Sequence, residues 1–114
     1  MYLQEAILDF RKENGVKEKF NWDNQLSQNC LLHNLAMSKQ RNIFHAIPEY
    51  LQGNAEVVCM GSWIDSERDT VRSLIFTCIA QSEEHKNILL FSSTLGGSYF
   101  VSDGIIFITI RGNK

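Results

Sequence analysis

The stretch Ile105-Ile106-Phe107-Ile108-Thr109-Ile110 constrains the fold more than any other feature of this chain. Extended, it places apolar side chains on both sides of the backbone, because successive residues of a strand point to opposite faces. Such a strand is stable where both faces are covered. Just before it stand Ser102-Asp103-Gly104 and an apolar run from Leu95 to Val101. An Asp-Gly pair between two such runs signals a hairpin, since these residues tolerate the backbone angles of a tight turn. The chain therefore reads as ending in an antiparallel hairpin held between other layers.

Upstream, the apolar spacing is mostly helical. Leu3, Ala6, Ile7 and Phe10 share one helical face, and Gly15 is a natural stop. Lys17 to Phe20 reads as a polar connection. A second helix opens near Asp23 or Asn24 and runs through Leu26, Cys30, Leu31, Leu35 and Met37 to about Lys39. Residues 41–52, with the only proline, Pro48, read as mostly irregular, and Ala55 to Met60 as a short strand. Asp65 or Ser66 caps a third helix, Ser66 with Asp69 resembling a capping box, whose buried stripe is Val71, Leu74, Ile75, Cys78 and Ile79. Ser82, Glu83 and Glu84 mark a fresh helix start, so His85 falls in the first turn of a short helix ending near Phe91. These elements make an α+β fold: a three-layer α-β-α sandwich with a small central antiparallel sheet.

At 114 residues with 44% hydrophobic and 21% charged side chains, this is a one-domain globular composition. The formal charge of −2 is interspersed, which gives no electrostatic footprint for nucleic acid. No apolar run approaches the roughly 20 residues that cross a bilayer. The first ten residues carry acids where a signal peptide has a basic head, so they belong to the fold. The chain is either cytoplasmic or a mature or excised domain of a longer or secreted protein. Cys30, Cys59 and Cys78 lack zinc-type spacing and read as small buried residues.

His45, Glu56 and His85 are the candidate chemical residues. Histidine titrates near neutrality and is the commonest metal ligand, so two imidazoles and a carboxylate on separate segments suit a metal or acid/base site. Glu56 or Glu84 would orient the rings. Ser82 lies three residues before His85, on one helix face, but no nucleophile elbow is present and a serine hydrolase is not indicated. His33, alone on the second helix, reads as structural. Trp22 and Trp63 read as core or rim packing, and Glu67 with Asp69 as a solvated capping face.

In order, Phe20-Asn21-Trp22-Asp23-Asn24-Gln25-Leu26, Phe44-His45, Gly53-Asn54-Ala55-Glu56-Val57-Val58, Ser82-Glu83-Glu84-His85-Lys86-Asn87-Ile88-Leu89 and Leu95-Gly96-Gly97-Ser98 resemble segments of the CAP superfamily. That superfamily comprises the cysteine-rich secretory, antigen 5 and pathogenesis-related proteins, and the likeness is to its short bacterial form. It spans nearly the whole chain and implies an α-β-α sandwich, an extracellular or cell-surface location, and a cleft where two histidines and usually two acids meet. In several members that cleft holds zinc or another divalent metal. His45, Glu56 and His85 match three of those four positions. The second acid is absent: Ser82 stands there, Ile79 replaces a tryptophan before it, and Val57 replaces the asparagine after the first glutamate.

The resemblance thus implies a binding module with a His/Glu cleft, with His45 and His85 as metal ligands supported by Glu56, Ser82 and Glu84. The ligand is a small molecule, lipid, peptide or glycan. The missing acid argues against catalysis. Two alternatives stand beside it: a metal-assisted or acid/base hydrolase, peptidase-like, using His45, His85 and Glu56, and a structural domain with a vestigial cleft.

Overall fold

The computed structural model describes residues 2–64, 66–79 and 81–113, with Cys78 described by its backbone alone. The expectations for Asp65 as a cap and for the Cys78 side chain lie outside the described residues.

Helix α1 (Tyr2–Glu13) is followed by a two-residue strand β1 (Asn21–Trp22) and the long helix α2 (Asn24–Gln40). A short helix α3 (Pro48–Leu51) precedes strand β2 (Ala55–Ser62). Helix α4 (Glu67–Leu74) runs into a π-helical turn (Ile75–Ile79), and α5 (Glu83–Phe91) leads to the hairpin of β3 (Thr94–Ser102) and β4 (Ile105–Gly112). Local chemistry sets the starts. Asp23 accepts the Leu26 N–H at 3.0 Å, Ser66 accepts the Asp69 N–H at 3.1 Å, and Ser82 accepts the His85 N–H at 3.4 Å.

The sheet order is β1-β3-β4-β2. β4 pairs antiparallel with both β2 and β3, and so occupies the centre. One face of β4, with Ile106, Ile108 and Ile110, is buried against α1, the α4–π segment and α5. The other carries Phe107, which joins Met37 of α2 and Val58 in a second, smaller core. The both-faces-apolar strand is therefore covered on both faces, by one helix on one side and three on the other.

Three expectations change. The sheet is mixed, because β1 pairs parallel with β3 where a polar connection ends; two residues are too few to show a strand's alternation. Residues 41–52 are mostly irregular as expected, with Pro48 at the first position of the short α3, where its fixed φ and missing N–H suit a helix start. The third helix is not uniformly α: the i→i+4 pattern gives way at Ile75 to a wider turn. Within its stripe Leu74 is half-buried, while Val71, Ile75 and Ile79 are buried.

The site depends on how closely α2 lies on the sheet. A Cβ on Gly96 of β3 would collide with Leu26 Cβ and stand 2.8 Å from the Asp23 carbonyl oxygen. Only glycine permits this approach, which brings Cys30, His33 and Asn34 of α2 over the end of β4.

Candidate functional site

Glu56 is the second residue of β2 and stands directly opposite Arg111 near the end of β4. Both side chains point to the α2 face, since Arg111 lies two and four residues along from Thr109 and Phe107. They are buried, with 1% of the Glu56 and 4% of the Arg111 side chain exposed. Arg111 Nε donates to Glu56 Oε2 at 3.0 Å, and Nη2 stands 2.9 Å from the same oxygen in a buried ion pair. The other carboxylate oxygen, Oε1, accepts from His45 Nδ1 and from the Ala46 N–H, each at 3.0 Å. Burial alone raises a carboxyl's pKa. Here the Ala46 N–H, the His45 and Arg111 hydrogen bonds and the nearby His33 outweigh burial and hold Glu56 below its usual range.

Glu56 thus pins the loop ahead of α3 to the sheet. His33 pins the same loop from the other side: its Nε2 donates to the Phe44 carbonyl oxygen at 2.6 Å, and its ring meets the Phe44 ring edge-on at 5.1 Å. Between α2 and α3 lies a cleft of about 350 Å³, with Leu32, His33 and Ala36 on one wall, Ala46, Glu49 and Tyr50 on the other, and Arg111 at its floor. Asn29 and Gln52 at its margin also line a neighbouring depression. That depression shares Asn113 with a third, bordered by Glu84 and Asn87 of α5.

His45 and Glu56 are therefore brought together by a direct hydrogen bond. Ser82 caps α5, and His85 lies half-buried in its first turn, outside the residues that line the α2–α3 cleft. His33, read from sequence as structural, is a cleft residue. Its signal was the helical set Asn29, Leu32, His33 and Ala36, which shares one face. Arg111 carried no sequence signal, because its role comes from strand pairing with a residue 55 positions away. Glu67 is not merely solvated, since it accepts the Tyr99 hydroxyl at 2.5 Å.

Beneath the cleft, α2 contributes Cys30 and Asn34, both fully buried. Burial pushes the Cys30 thiol up to about 12, so it is no thiolate nucleophile. Asn34 Oδ1 accepts from the Thr109 hydroxyl at 2.6 Å.

The fit of a divalent metal can be judged from the donors. His45 has the arrangement of a single ligand, with Nδ1 given to a carboxylate and Nε2 left to bind. Zinc needs three or four donors. Among the described residues no group of three or more His, Cys, Asp or Glu side chains is placed to hold an ion. Both Glu56 oxygens are already engaged, and the Arg111 guanidinium occupies the position of a cation beside them. These residues do not fit a resident metal.

No family model matches the chain, and no curated protein matches it by sequence. Solved structures do. An outer surface protein from Borrelia burgdorferi is 18% identical, with 96% of this chain and 88% of that one covered and a TM-score of 0.66. NaASP2, solved with Zn2+, is 11% identical, with 97% and 76% covered and a TM-score of 0.69. A cysteine-rich secretory protein from Staphylococcus aureus is 13% identical at a TM-score of 0.54, with 98% of this chain but 38% of that one covered. The chain has a CAP-like fold, an α+β sandwich.

Proposed function

We propose that this chain is a non-catalytic CAP-type binding module whose α2–α3 cleft receives a small ligand, or the end of a lipid, peptide or glycan, with an apolar body and a polar head. One observation carries the reading. Leu32 and Tyr50 leave 64% and 69% of their surface exposed around a concavity whose floor is a buried, hydrogen-bonded ion pair. Apolar walls with a few fixed polar groups are the usual make-up of a ligand pocket. In this reading Glu56 and His45 shape the cleft, and Ser82, Glu84 and His85 support its α5 side. A surface or secreted setting accords with the names of the structural neighbours, and residues 1–114 act as one binding domain. No described helix is long and apolar enough to cross a membrane.

The test is binding of Nile red, a neutral apolar dye, followed by fluorescence and amide chemical shifts. Shifts confined to Leu32, Ala36, Ala46 and Tyr50, and lost in Ala36→Trp, support the cleft. Equal binding by Ala36→Trp removes it.

A second reading, acid/base hydrolysis, is favoured by the His45–Glu56 hydrogen bond. It orients a ring that is 60% exposed, with Nε2 directed away from the carboxylate as a base. Turnover of an ester and peptide panel that is unchanged in His45→Ala removes that reading. Calorimetry with zinc on the wild type and on His45→Ala and His85→Ala examines the metal question. Micromolar binding lost in both variants would restore a two-histidine site.

A further inference from the structure

The Arg111 guanidinium uses only one edge on Glu56. Nε and Nη2 make that contact, and no described residue accepts from Nη1. Asn34 Nδ2 is the one fully buried side-chain polar atom without a partner among the described residues. Nη1 also lacks a partner and is not such a fully buried atom, so it keeps some exposure, and the α2–α3 cleft is the cavity that Arg111 lines. A nearly buried side chain thus presents two unspent N–H groups to a space walled by Leu32, Ala36, Ala46 and Tyr50 together with the polar His33 and Glu49.

Its charge, unlike its donors, is already spent. Glu56 is ionised and in contact, so the floor is a neutral pair, and Glu49 adds a carboxylate to the wall. A ligand carboxylate at Nη1 would bring a second negative charge close to Glu56 in a poorly hydrated site, where like charges repel strongly. A neutral carbonyl oxygen would accept the same hydrogen bonds without that penalty. Resting on the cleft reading above, we propose that the ligand offers Arg111 Nη1 a neutral amide or ester carbonyl, with its apolar part between Leu32, Ala36 and Tyr50, and that carboxylates are refused.

Octanamide and octanoate differ only in this head group and serve as matched probes at neutral pH. The amide is expected to bind about tenfold more tightly and to shift the Arg111 guanidinium N–H resonances. In Glu56→Gln the guanidinium loses its counter-charge, and the order should reverse in favour of octanoate. Should that variant fail to fold, the wild-type comparison decides alone, and Glu49→Gln should narrow the preference while keeping the amide first. Octanoate binding as tightly as the amide, or octanamide leaving the Arg111 signals unmoved, overturns the carbonyl assignment but leaves the binding module standing. Neither probe binding while Nile red does has the same meaning. Failure of all three ligands overturns both.

Discussion

Glu56 shows how a single residue organises this molecule. Its hydrogen bonds come from the His45 ring and the Ala46 backbone in one loop and from Arg111 on the opposite strand, so one carboxylate ties α3's approach to the sheet. Removing it strands a buried guanidinium. Glu56→Ala should therefore destabilise the fold by about 3–5 kcal/mol, measured by urea denaturation, the range seen when one partner of a buried pair is deleted. Gly96 acts through absence. Because a Cβ there would collide with the backbone of α2 as well as with Leu26, Gly96→Ala should cost about 1–3 kcal/mol. An unchanged urea midpoint would mean that α2 can move off the sheet without loss.

At the level of elements, helix ends are fixed by side chains read locally, and their junctions by long-range contacts. Asp23 caps α2 from a β-region backbone. Asp23→Ala should cost about 1 kcal/mol in the same measurement, while Asp23→Asn, which keeps the acceptor, should cost little. At the far side of the sheet Arg11 of α1 is buried, donating to Leu89 O at 2.7 Å, to Ser92 O and to Glu18 O at 3.2 Å, with its guanidinium 4.4 Å from the Phe20 ring centre. It closes the carbonyl end of α5 with a cation, which helix C-termini favour. The groove beside it, lined by Lys12, Lys17 and Lys19 and larger than the α2–α3 cleft, therefore has its buried guanidinium committed to the fold.

For the whole molecule, stability follows the titration of its buried pair. Glu56 has a folded pKa depressed from 4.5. Its contribution is present above the unfolded pKa and is lost as pH falls through the folded value, because the unfolded state then binds the extra proton first. The melting temperature should fall with acidification below about pH 4.5, and this acid limb should flatten in Glu56→Gln. Retention of the full limb in that variant would place the acid sensitivity elsewhere. At the alkaline end, Tyr99 is raised from 10.0 to about 12 by burial and by its bond to Glu67. The raised phenol favours the fold at high pH less and less: its contribution is whole below the unfolded pKa and fades as pH rises through the folded value.

The sequence by itself determined whatever depends on neighbours along the chain. The Asp103-Gly104 turn, the helix starts near Asp23, Ser66 and Ser82, the placing of His85 in a helical first turn, and a strand apolar on both sides all follow from local sterics and spacing. Together they suffice for a layered α+β fold. Only the tertiary structure decided which side chains share the cleft. Arg111 reaches Glu56 through strand register, and His33 faces the cleft because α2 lies down on a glycine. Both depend on contacts between residues distant in sequence, and no local pattern encodes the partner of a buried charge.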